Sequence, residues 1–168
     1  MSAPVYWITG LSGAGKTTLA KLVVGGIKSL KEPVFMLDGD VFRMIFDQAG
    51  SHGRESRLDL AMSYSRLAKE LSEQGIWVVC ATVSLFHDVH DWNRKNIKNY
   101  REIFLSVPLS ELRSRDSKKI YSKADRGELI NVVGIDIPVE QPLNPDLIIY
   151  NSGKMTPKDA VKIILDYF

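Results

Sequence analysis

The chain has 168 residues and a mass of 18.9 kDa, room for one compact domain (1–168) and too little for a second catalytic one. Twenty-two Lys and Arg against 20 Asp and Glu leave a net charge of +2, which speaks against non-specific binding to nucleic acid or membrane surfaces. A single cysteine excludes an internal disulfide; without a signal-peptide pattern or an apolar run near ~20 residues, a soluble cytoplasmic protein is expected.

In chain order, short apolar runs at 5–9, 34–37, 76–82, 103–107 and 147–150 are rich in β-branched and aromatic residues and read as buried strands. Between them, residues 16–30, 54–74, 88–100 and 109–115 show the three- and four-residue apolar spacing of helices. A last helix is expected from Pro157, whose fixed φ suits a first helical position, to the C-terminus. This alternation predicts an α/β fold, a three-layer sandwich around a five-stranded parallel sheet. Residues 116–144 break the alternation with charges, Gly127, Gly134, Pro138 and Pro142, and are expected to form a lid above the sheet. Cys80 lies in an apolar run, which predicts a buried, inert thiol; Trp7, Trp77 and Trp92 are expected to pack rather than to stack on bases.

The run GLSGAGKTT at 10–18 satisfies G-x-x-x-x-G-K-[ST] through Gly10, Gly15, Lys16 and Thr17. It follows a predicted strand and opens a predicted helix, the context in which such a loop cradles a polyphosphate. Glycines let backbone N–H groups turn inward, and the helix N-terminus adds favourable partial charge. Leu11, Ser12, Gly13, Ala14 and Thr18 complete the expected ATP site. Lys16 should reach the β- and γ-phosphates and Thr17 should bind Mg²⁺. A guanine-specific GTPase would carry an N-K-x-D segment, and Asn96-Ile97-Lys98-Asn99 is not one. A small protein with a lid fits a kinase that must exclude water.

The second strand ends in Asp38-Gly39-Asp40, followed by Arg43. Strand carboxyl ends in an open parallel sheet face the ligand crevice. One carboxylate can hold a metal-bound water while the other accepts a proton from an attacking hydroxyl. Equally, Asp40 can cap a helix.

LDGD with its arginine, after GLSGAGKTT, strongly resembles adenylylsulfate kinase. Residues Arg115-Asp116, Lys118, Tyr121, Lys123-Ala124 and Gly127-Glu128 look like that family's lid. Gly134-Ile135-Asp136, Pro138, Glu140, Pro142 and Asn144-Pro145 look like its following segment. The resemblance implies transfer of the ATP γ-phosphoryl to the 3′-hydroxyl of adenosine 5′-phosphosulfate, a small anionic nucleotide. It implies Asp40 as base with Asp38 assisting, Lys118 near the transferring phosphate and Arg115 beside the ATP base. It implies Arg43, Arg57 and Ser84 on the acceptor, two of them guanidinium forks suited to anionic groups. Dimers are common among similar kinases, so a homodimer is among the expectations. Two rival classes stay open: another small-molecule P-loop kinase, and a non-catalytic nucleotide-binding regulatory domain.

Departures from the family pattern cluster in the acceptor pocket. The two phenylalanines that usually sandwich the substrate adenine are His52 and Val132 here. Base–aromatic stacking is worth about 1–3 kcal/mol per base, so adenine binding should suffer. A family asparagine and arginine are replaced by Leu60 and Ser63. Two further arginines are His87 and His90, which are expected to line the acceptor pocket or to lie on the surface at a helix start; a zinc site there would want a third ligand. With the donor side intact, a changed acceptor is expected. Similar kinases act on cytidine diphosphoramidate, whose smaller pyrimidine suits His52 and Val132.

Overall fold

The computed structural model describes residues 2–46, 53–116, 118–153 and 155–167. Strands and helices alternate: β1 Val5–Thr9, α1 Lys16–Ser29, β2 Val34–Asp38, α2 Gly39–Ile45, α3 Arg54–Glu73 and β3 Trp77–Thr82. There follow α4 His87–Asn96, β4 Tyr100–Ser106, α5 Leu109–Arg115, α6 Ile120–Asp125, β5 Leu147–Tyr150 and α7 Pro157–Tyr167. The five strands form one sheet in the order β2-β3-β1-β4-β5, every neighbouring pair parallel. This is the expected three-layer α/β fold.

Strand periodicity divides the core. Tyr6 and Ile8 of β1 face one side, where they pack with Leu19, Val23 and Ile27 of α1 and Ile164 of α7. Val5 and Trp7 face the other, against Leu60, Tyr64 and Ala68 of α3 and Val89 of α4. A central strand buried on both faces is why 5–9 reads as a continuous apolar run. Cys80 is buried in the second cluster, and burial pushes its thiol pKa up, as an inert thiol requires.

Three local features differ from the periodicity reading. A helix does follow β2, the alternative reading of Asp40, but the N-cap of α2 is Asp38, whose Oδ1 accepts the Asp40 N–H at 2.9 Å. Strand β4 begins at Tyr100, paired with Val5, rather than at Ile103. Its early residues look polar only because Glu102 is buried by partners from elsewhere, described below. Within the expected lid, Asp116 accepts the N–H groups of Tyr121 and Ser122 at 3.0 and 2.9 Å and thereby starts α6. No helix among the described residues is long and apolar enough to cross a membrane.

Candidate active site

At their carboxyl ends Thr9 of β1 lies opposite Thr82 of β3, and Asp38 of β2 opposite Ala81. The loops that follow converge on one cleft. The β1–α1 loop turns tightly: a Cβ on Gly10 would lie 2.5 Å from the Leu105 carbonyl oxygen. Gly15 enters α1 at φ 97°, a left-handed conformation that glycine adopts without steric cost. No side chain caps α1, which leaves its N-terminal end suited to an anion. Two tethers hold the loop from outside. Tyr121 Oη donates to the Ser12 carbonyl at 2.8 Å, and Asn151 Nδ2 donates to the Ala14 carbonyl at 2.9 Å.

Lys16 is 9% exposed and donates to the Leu11 carbonyl at 2.7 Å. Burial lowers its pKa to about 7, helped by the charge of Lys118 and opposed by Asp40 and Asp38. Thr17 donates its hydroxyl to Asp38 Oδ2 at 2.8 Å, and Lys118 from the lid reaches Asp40 Oδ2 at 2.5 Å. Burial works against ionisation of Asp40. The hydrogen bond and charge of Lys118, with Lys16 and Arg43, outweigh it and hold that carboxyl below its ordinary pKa.

These groups line one cavity of about 370 Å³. Ser12, Gly13, Gly15, Lys16, Thr17 and Thr18 form its phosphate end. Asp38 and Asp40 also line it, Asp40 within reach of the charges of Lys16, Lys118 and Arg43; Arg43, Arg57, Ser84 and Val132 build a second end. Lys118 and residues 129–133, from the segment expected to form a lid, line the same cavity. Gly10, Leu11, Ala14 and Arg115 lie outside the lining: the first three shape the loop, and Arg115 bonds the Asn151 carbonyl at 2.7 Å and Glu111. His52 lies outside the described residues.

Beside the two arginines, the second end has an apolar wall. Leu60, Phe86 and Val132 are almost wholly buried in its wall. Arg54 sits over the Phe86 ring, 5.4 Å from its centroid, and occupies that face. Val132 is held from its backbone: Asp136 accepts the N–H groups of Asn131 and Val132 at 2.6 and 2.5 Å, and Arg57 donates to the Asn131 carbonyl at 2.9 Å. Such a cleft, with a loop for polyphosphate, a carboxylate pair and a separate anion-binding end, can bring two nucleotides together.

Comparison with known proteins agrees. The family model described as adenylylsulphate kinase matches residues 2–150. An adenylyl-sulfate kinase of Pseudomonas aeruginosa is 36% identical over 165 residues, covering 97% of this chain and 84% of that one. The chain belongs to the adenylylsulfate kinase family. It is therefore an ATP-dependent phosphotransferase of the kind that acts on a hydroxyl group. A cytidine diphosphoramidate kinase of Campylobacter jejuni is 38% identical over 161 residues, 96% of this chain and 94% of its own. In three dimensions the kinase superposes on the Mycobacterium tuberculosis APS kinase solved with AMPPNP and APS, with a TM-score of 0.91 at 28% identity, covering 99% and 97% of the two chains.

Of the two histidines expected in the acceptor pocket or on the surface at a helix start, His87 takes the second place, half-exposed as the first residue of α4, and His90 takes neither. Neither His87 nor His90 lines the cavity. His87 Nε2 lies 2.9 Å from the Gln141 carbonyl, and its N–H donates to Glu140 at 2.8 Å. His90 is buried behind the strand end and bonds the Ser84 carbonyl. Helical phase turns them away: on α4 the buried positions are Val89, His90 and Asn93, which face the sheet rather than the cleft. Tyr121 and Asn151, the two loop tethers, were not singled out as such. Their signal was faint: a tyrosine in a charged stretch, and an asparagine opening the turn after the last strand.

Proposed function

We propose that this kinase transfers the γ-phosphoryl of ATP to the 3′-hydroxyl of a 5′-modified nucleotide, adenylylsulfate being the acceptor its family implies. The observation that carries the reading is the contact series Thr17–Asp38–Asp40–Lys118 beside buried Lys16, inside one cavity with two ends. The ATP phosphates lie along the loop amides with Lys16 on the β- and γ-groups. Arg43 and Arg57 grip the anionic part of the acceptor, Ser84 lies beside it, and Arg115 lies beside the ATP base. Asp40 takes the hydroxyl proton as the acceptor oxygen bonds to the γ-phosphorus; the bond to the bridging oxygen breaks and ADP leaves. Lys118 moves from Asp40 to the transferring group, which frees the carboxylate and neutralises charge in one shift. Thr17 and Asp38 offer two convergent hard oxygens, a set that suits Mg²⁺ when phosphates and water complete its shell. When bound there, Mg²⁺ neutralises phosphate charge.

A second reading, cytidine diphosphoramidate as acceptor, is favoured by the wall of the second end. Val132 and Leu60 stand there in place of the aromatic and polar groups that the family pattern supplies. A pyrimidine, smaller and needing less stacking, suits that wall; the Campylobacter jejuni relative carries the corresponding name. Steady-state kinetics with ATP, Mg²⁺ and each acceptor separates them. A higher kcat/KM for adenylylsulfate sinks the second reading, and ATP turnover with neither sinks the first as well.

A further inference from the structure

We propose that His90 is a positioning residue for the acceptor end, holding residues 83–86 from behind through the Ser84 carbonyl. This rests on the assignment of that end to the acceptor. His90 is 5% exposed and its Nε2 lies 2.8 Å from the Ser84 oxygen. A carbonyl only accepts, so Nε2 carries the proton and donates. Val83, Ser84 and Phe86 all face the cavity, so the carbonyl that His90 holds belongs to the wall itself. On the front side, Ser84 Oγ and Thr82 Oγ1 are 2.7 Å apart, so this turn is fixed from both faces.

The second ring nitrogen faces a carboxylate. His90 Nδ1 lies 3.2 Å from Oε1 of Glu102, which is 2% exposed on β4. With the ring proton on Nε2 both atoms are acceptors, and neither has a hydrogen-bond partner among the described residues. Glu102 Oε2 accepts from Arg94 at 2.8 Å, one helical turn after His90 on α4. Arg94 also donates to the Asn144 carbonyl at 2.9 Å and to Asp146, whose carboxylate accepts the Glu102 N–H at 2.7 Å. Residues 144–146 are where the chain returns from the lid to β5. Helix α4 thus carries both His90, which holds the acceptor wall at Ser84, and Arg94, which holds Glu102 and the base of the lid at Asn144. A buried charged cluster that served packing alone would be replaceable by apolar groups of similar shape. Here its two ends are the wall and the lid.

The test uses two variants of similar polarity. In His90→Gln the side-chain amide nitrogen stands near Nε2 and still reaches the Ser84 carbonyl. In His90→Asn the shorter amide stands near Nδ1 and does not. With adenylylsulfate and cytidine diphosphoramidate each as acceptor, His90→Asn should raise the acceptor KM about five- to tenfold, as expected for a lost buried hydrogen bond, with ATP KM within about twofold. His90→Gln should restore most of the loss. Equal acceptor KM values in the two variants, or an equal rise in ATP KM, overturn the proposal. Amide hydrogen exchange of residues 83–86 in the free enzyme is independent of the acceptor's identity. Faster exchange in His90→Asn than in His90→Gln is expected, and no difference overturns the proposal even if the wild type phosphorylates neither acceptor. Should His90→Asn not fold, Arg94→Gln on a side chain 39% exposed tests the same contacts one step back. A rise in acceptor KM of at least about two- to threefold supports the proposal, and an unchanged value overturns it.

Discussion

The two ends of the cavity are built from different materials. The phosphate end is mostly backbone: the tight β1–α1 loop, the uncapped start of α1 and one buried lysine, held by Tyr121 and Asn151. The second end, which we assign to the acceptor, is mostly side chains, contributed by α2, α3, the turn after β3 and residues 129–133. Backbone geometry tolerates little change, since at Gly10 a single added carbon would meet Leu105 at 2.5 Å. Side-chain walls can be altered one residue at a time without disturbing the loop. On the donor and acceptor assignments we propose, that difference lets the acceptor end vary while the donor end stays fixed.

Substitutions at the two ends should therefore differ in kind as well as size. Lys16→Ala should abolish transfer with any acceptor, because the buried ammonium has no substitute near the β- and γ-phosphates; full activity in a kinase assay would refute the donor assignment. Asp40→Asn should keep nucleotide binding and lower kcat by about 10²–10⁴-fold, the usual contribution of a positioned base. A comparable loss in ATP affinity would mean that Asp40 acts on the donor instead.

At the acceptor end the change should be selective. His52→Phe with Val132→Phe should raise kcat/KM for adenylylsulfate at least about tenfold, in line with 1–3 kcal/mol per stacked base. The value for cytidine diphosphoramidate should hold or fall. A parallel rise for both acceptors would show that the wall does not choose the base.

The same contrast explains what could be read from sequence. Strands β1 and β5 and the phosphate loop were legible because each depends on neighbours in the chain: a short apolar run, or a glycine pattern between strand and helix. Strand β4 was misjudged at Tyr100 because Glu102 becomes a core residue only through Arg94 and His90, both on another element. Helix α2 was missed by periodicity because seven residues after a capping aspartate give too short a signal. Asp38, Asp40, Arg43, Arg57, Ser84, Val132 and Lys118 do meet in one cavity, but the family pattern rather than spacing had grouped them. The histidines of α4 escaped it, since a one-residue difference in helical phase separates a cleft residue from one behind the wall.

The smallest effect we expect distinguishes the two ends by pH alone. In the free enzyme Lys16 has a pKa lowered to about 7, chiefly by burial. Phosphates beside it favour the ammonium, so ATP binding should raise that pKa and take up a proton. With a pKa near 7, the free enzyme should pass increasingly to the neutral amine as the pH rises from 7 to 8. ATP affinity should then fall about fivefold between pH 7 and 8, and proton uptake should rise from about half a proton toward one. Calorimetry in buffers of different ionisation heat measures both. Lys16→Arg, which stays charged throughout this range, should remove the slope and the uptake. Acceptor binding should show neither, because the groups that grip the acceptor are guanidinium forks, which carry their charge throughout this range. A pH slope shared by both ligands would mean that the charge at the phosphate end is not set by Lys16, and that the two ends are one electrostatic unit.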